Sequence, residues 1–140
     1  MIVFDTSVVY ALLDARDRRH RQCVAWYETV GEEIATTPLV LAEVDHLAAT
    51  RAGARAVRAF RADLGAGAYL VEWWPDAVSE CVALAERYVD LGLSLADASL
   101  VALAARVETT RIATLDERHF RALTPVSGGS AFRLLPADAD

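Results

Sequence analysis

Four apolar segments of this chain each carry a single acid, and any fold that buries those segments must answer the charges. Asp5 closes the run Met1-Ile2-Val3-Phe4, and Glu43 lies inside Leu39-Val40-Leu41-Ala42-Glu43-Val44. Asp97 interrupts Leu95-Ala96-Asp97-Ala98-Ser99-Leu100-Val101, and Asp116 follows Ile112-Ala113-Thr114-Leu115. An isolated buried carboxylate is costly and takes up a proton rather than stay charged. Acids recurring at the edges of core segments therefore point to a shared partner of opposite sign. A divalent cation held by oxygen ligands is the usual one.

The segments alternate in type. Met1 to Phe4 reads as a buried strand, and Ser7 to Leu13 as a short helix capped by Thr6 or Ser7. Arg18 to Val30 has an apolar helical face, and Glu33 to Thr36 is a strand candidate. Thr37-Pro38 signals a helix start, with threonine as cap and proline at the first helical position. That helix runs to about Thr50, and a second spans Ala54 to Leu64. A strand at Tyr69 to Val71 precedes a helix that Pro75 opens and that ends near Val89. Ser94 caps the most apolar helix, Leu95 to Val107. A strand at Arg111 to Thr114, a helical turn at Asp116 to Phe120 and a strand at Ala131 to Leu134 complete the chain, and Pro136 to Asp140 reads as a frayed tail. Strands separated by helices imply an α/β layered fold with a mainly parallel sheet, formed by residues 1–140 as one domain. Ligands bind such folds at the carboxyl ends of strands, where Asp5 and Asp116 are expected.

Each acid has a local explanation to weigh. Asp5 and Asp116 suit helix caps, and Ser94-x-x-Asp97 resembles a capping box. Glu43 is harder to dismiss, because it lies one turn from both Leu39 and Leu47 and shares their apolar stripe. Thr6, Ser7 and Thr114 place hydroxyls beside these acids, suited to orienting a carboxylate or touching a phosphate. His119 is expected at the border of such a site, and His20, amid arginines, on the surface. Trp73-Trp74 reads as core or interface packing.

Composition narrows the alternatives. Without lysine there is no phosphate-binding P-loop, and three scattered histidines offer no zinc spacing. Cys23 and Cys81 make no disulfide framework, and no apolar stretch reaches membrane-spanning length. A soluble protein in a reducing cytoplasm is expected. The net charge of −6 argues against a polyanionic partner, but all 14 basic residues are arginines and several cluster. Arg16, Arg18, Arg19 and Arg21 form one group, and Arg51, Arg55, Arg58 and Arg61 another. They read either as solvated helix faces or as bands that hold a nucleic-acid backbone.

Ile-Val-Phe-Asp-Thr-Ser, Leu-Ala-Glu-Val, Leu-Ser-Leu-Ala-Asp-Ala and Ile-Ala-Thr-Leu-Asp-Glu-Arg-His-Phe, in that order, resemble the motifs of PIN-domain ribonucleases, and among them most the VapC toxins of bacterial toxin–antitoxin pairs. The resemblance implies a three-layer α/β/α fold and an acidic catalytic site of Asp5, Glu43, Asp97 and Asp116. Asp5, Asp97 and Asp116 would be the principal ligands of Mg2+ or Mn2+, with Thr6 and Thr114 in support. It also implies an RNA substrate, a cognate antitoxin protein and a homodimer. One departure is His119, near a position where many relatives carry a further acid, which bears on how tightly a second ion is held. The rival readings are a PIN-like module that binds RNA or a protein without cutting, and an aspartate-phosphorylated receiver, which normally needs a lysine that this chain lacks.

Overall fold

The structure, a computed structural model, describes residues 1–140. Its centre is a five-stranded sheet in the order β3-β2-β1-β4-β5, formed by β1 (Ile2–Phe4), β2 (Ile34–Thr36), β3 (Leu70–Val71), β4 (Arg111–Ala113) and β5 (Arg133–Leu135). Every pairing is parallel, so the expected mainly parallel sheet is wholly so. β1 and β2 are buried along their whole length, as strands covered by helices on both faces must be. Phe4 lies beneath the rings of Trp26, Tyr27 and Tyr69, with centroids 5.6, 6.2 and 6.4 Å away.

The helices are α1 (Thr6–Leu13), α2 (His20–Tyr27), α3 (Pro38–Leu47), α4 (Ala54–Gly65), α5 (Ala77–Arg87), α6 (Leu95–Arg106) and α7 (Glu117–Arg121). The strands step outward from β1 to β3, and the chain then returns to lay β4 on the other side of β1. Right-handed crossovers in the two directions put helices on opposite faces, giving three layers, and make the β1–β4 seam the topological switch point. α6 is buried at every position from Ala98 to Ala104 and packs on β1, β4 and α5. No helix is long and apolar enough to cross a membrane.

Local chemistry sets the helix ends. Thr37 caps α3 through Val40 N–H, with Pro38 behind it, and Ser94 Oγ accepts the Asp97 amide at 3.1 Å. α1 starts one residue before the expected position, so Asp5, rather than Thr6 or Ser7, occupies the cap position. α2 starts at His20 instead of Arg18, because Asp17 Oδ1 accepts the Arg19 amide at 2.8 Å and holds a turn there. α3 does not continue regularly to Thr50: from Ala48 to Ala52 the backbone widens into a π turn that Gly53 ends. Gly53 adopts φ +96°, a conformation that side chains oppose.

The C-terminal segment is not frayed. Asp138 accepts the Leu134 amide at 2.7 Å and two hydrogen bonds from Arg121, at 2.7 and 3.1 Å. His20 is not free on the surface, since its Nδ1 lies 2.7 Å from the Ala11 carbonyl and fastens α2 to α1. Trp74 is buried beneath the Arg106 guanidinium and donates Nε1–H to Glu80, whereas Trp73 is partly exposed.

Candidate active site

Asp5, Glu43, Asp97 and Asp116 come from four different elements and border one cleft of about 650 Å3. Asp5 joins β1 to α1, Glu43 lies in the second turn of α3, Asp97 in the first turn of α6, and Asp116 between β4 and α7. The cleft opens at the β1–β4 seam, at the carboxyl ends of both strands. No three of these side chains are close enough to make a closed coordination set. They border a shared space rather than a preformed cage.

Asp5 is the deepest of the four and is held by hydroxyls. Ser7 Oγ and Thr114 Oγ1 both donate to Asp5 Oδ2, at 2.7 and 2.8 Å. Each hydroxyl in turn accepts a backbone amide, Leu115 N–H on Ser7 and Asp116 N–H on Thr114. This fixes both proton directions and ties β1 to the loop after β4. Asp5 Oδ1 is left without a side-chain donor. Burial pushes the Asp5 carboxyl above its ordinary range, and the two hydroxyls work against that rise. Asp97 is pushed up to about 6, first by burial and then by the negative charges of Asp5 and Asp116.

Asp116 caps α7, its Oδ1 accepting the His119 amide at 3.3 Å, while His119 Nδ1 lies 2.8 Å from its Oδ2. His119 also lines the cleft, so it is part of the site wall and in direct contact with an acid. Thr6 lines the cleft as well, and its Oγ1 is buried without a hydrogen-bond partner.

Glu43 departs from expectation. It is exposed, and the core stripe of α3 is Val40 and Val44, continued by Ala48, rather than Leu39 and Leu47. It meets the other three acids through its place in the cleft wall, not through burial. Its neighbour Asp45 points away to a two-pronged pair with Arg61, at 2.8 and 2.9 Å.

One pairing behind the acids carried no signal in the sequence. Thr37 Oγ1 and Ser99 Oγ are 2.8 Å apart and fully buried between α3 and α6. Ser99 gives its proton to the Ala96 carbonyl at 2.6 Å, so Thr37 is the donor between them. This bond joins the helix of Glu43 to the helix of Asp97. A lone serine and a capping threonine look ordinary until the fold brings them together.

The donor set is hard carboxylate oxygen with hydroxyls behind it, which fits Mg2+ or Mn2+ better than zinc. The orphaned Thr6 hydroxyl and the raised Asp97 mark a pocket short of both hydrogen-bond partners and positive charge. The chain is a parallel α/β domain with four acids bordering the cleft at its switch point. A model of the PIN domain matches residues 2–124, and the chain belongs to that family, in its VapC branch.

Ribonuclease VapC26 of Mycobacterium tuberculosis is 35% identical over 136 residues, spanning 96% of this chain and 100% of the relative. The crystal structure of Mycobacterium tuberculosis VapC20, described as a sarcin–ricin loop cleaving toxin, matches with a TM-score of 0.75 at 26% identity, over 80% of this chain and 87% of that one. A toxin–antitoxin complex from Klebsiella pneumoniae shares the fold, with a TM-score of 0.66 at 20% identity, over 91% of this chain and 100% of that one.

Proposed function

We propose that this protein is a metal-dependent endoribonuclease that acts as the toxin of a toxin–antitoxin pair. The convergence of Asp5, Glu43, Asp97 and Asp116 on one cleft carries the reading. The ribonuclease name of the VapC26 relative supports RNA as the substrate. Asp5, Asp97 and Asp116 would hold Mg2+ or Mn2+, with Glu43 completing the site. When bound, such an ion supplies positive charge at the phosphodiester and makes hydroxide available at neutral pH.

The chain's own residues do the rest. Ser7 and Thr114 stop the Asp5 carboxylate from rotating, and the Asp116 backbone is held by the same Thr114 oxygen. Glu43, exposed on the wall and without a hydrogen-bond partner, is free to orient a water or accept its proton. The same reading includes a cognate antitoxin that covers the cleft, a homodimer and a cytoplasmic setting.

The test uses purified protein, structured RNAs, and magnesium or manganese. The parent should cut, chelator should stop it, and Asp5→Asn and Asp97→Asn should each lose at least about a hundredfold in rate. Equal cleavage by the variants would remove the catalytic assignment. RNA bound but left intact, with no response to chelator, would identify a binding module instead.

A further inference from the structure

The two arginine clusters do not act alike. Of their eight members only Arg18, Arg19 and Arg51 line the acid cleft. None of these three pairs with a carboxylate, whereas Arg16 is paired with Asp14 and Arg61 with Asp45. The Arg19 guanidinium touches only the neutral Gln22 side chain, at 2.7 Å. Three unneutralised guanidinium groups thus face a cleft that otherwise presents acids. Five acids share the lining, Asp17 among them, so a polyanion meets attraction at this arginine rim and repulsion over the acids until a cation is bound there.

The backbone beneath these arginines is built. Asp14 accepts the Arg16 amide at 3.0 Å and the Tyr10 hydroxyl at 2.7 Å, and Asp17 accepts the Arg19 amide at 2.8 Å. Arg16 Nη2 reaches across to donate to the Arg51 carbonyl at 2.7 Å, locking the loop before α2 onto the π turn after α3. Segments more than thirty residues apart become one rim. π turns are uncommon and recur at functional sites, and here the turn carries Arg51 into the cleft wall. Fixed backbone with free guanidinium ends is the arrangement that binds phosphate at low ordering cost.

We infer that Arg18, Arg19 and Arg51 form a phosphate subsite that grips the RNA backbone beside the acids, with Arg16 as the positioning residue that joins its two halves. The inference rests on the RNA-cleaving reading for its substrate class, but it is tested through binding alone. The probe is a fluorescein-labelled oligouridylate of about 20 nucleotides, followed by anisotropy in magnesium across a salt series. The protein is full-length Asp97→Asn, and gels verify that the probe stays intact.

Adding Arg18→Gln, Arg19→Gln or Arg51→Gln should each weaken binding about tenfold and lower the log–log salt slope by about 0.7. Arg87→Gln, an equal loss of charge on α5 away from the cleft, should change neither. Arg18 and Arg51 are exposed and Arg19 is half-buried, and unchanged melting confirms folding of each variant. The subsite is overturned if the three variants keep the affinity and slope, if Arg87→Gln loses as much, or if the Asp97→Asn protein itself does not bind the probe at low salt. An acidic decapeptide held more tightly than an oligonucleotide of equal charge would reassign the rim to a protein segment. A parent that fails to cut any RNA while this pattern holds would remove the nuclease reading and leave the subsite standing.

Discussion

Thr114 Oγ1 donates to Asp5 Oδ2 at 2.8 Å while accepting the Asp116 amide at 2.9 Å, so one hydroxyl holds two of the site's acids in register. Thr114→Val keeps the shape and removes both bonds. It should cost about 1–2 kcal/mol in urea unfolding, raise the magnesium needed for half-maximal cleavage and slow the reaction about tenfold. Thr114→Ser should recover most of each effect. A valine variant as stable and as active as the parent would show that the hydroxyl orients nothing.

Glu43 offers the opposite test, because the fold does not use it. It is exposed and makes no hydrogen bond or ion pair. Glu43→Gln should leave stability within about 0.5 kcal/mol of the parent, yet cleavage should fall about a hundredfold. Loss of stability without loss of rate would remove it from the site.

The contrast between these residues shows what the sequence exposes. The junctions at Asp5, Asp97 and Asp116 were legible, because each acid directly abuts a run too apolar to be surface, or a cap that marks a helix start. Element order and parallel sheet followed from the same alternation. Glu43 lines the cleft without the burial its sequence context implies: α3 is apolar on several sides, so periodicity does not tell the stripe of Val40 and Val44 from that of Leu39 and Leu47. Thr37 with Ser99, and Arg16 with the Arg51 carbonyl, are meetings between distant segments. No local pattern announces them. The ordered tail was missed for the same reason, since Asp138 is held by Arg121 and by the Leu134 amide.

Acidity offers a third test. Burial and the charges of Asp5 and Asp116 push the Asp97 carboxyl up to about 6, above its ordinary 3.8. Between those values the folded protein keeps a proton that the unfolded chain releases. The stabilisation is complete below the unfolded value and is lost as pH rises through about 6. In chelator, the parent should therefore melt at lower temperature at about pH 7.5 than at about pH 5, and Asp97→Asn should shrink that difference. Magnesium should restore the parent at the higher pH, because it favours the ionised carboxylates. An identical pH response in parent and variant would mean that Asp97 is not under this pressure.

The link between α3 and α6 can be cut by one atom. Ser99→Ala strands the Thr37 proton in a fully buried position and should cost about 1–2 kcal/mol in urea unfolding. Cleavage should weaken at subsaturating magnesium and recover as the ion is raised, since Asp97 is loosened rather than lost. An unaltered magnesium dependence would confine the pair to stability.

The strand order has a consequence for how the molecule can be divided. Everything up to Gly92 supplies β3, β2 and β1 with Asp5 and Glu43, and everything after it supplies β4 and β5 with Asp97 and Asp116. A cut in the exposed stretch at Gly92 would part the sheet along a single seam and share the acids two and two. Neither fragment would own a working centre, and activity would return only on reunion. On the proposed ribonuclease reading, the architecture is thus a template for a split reporter of proximity, with RNA scission as its output.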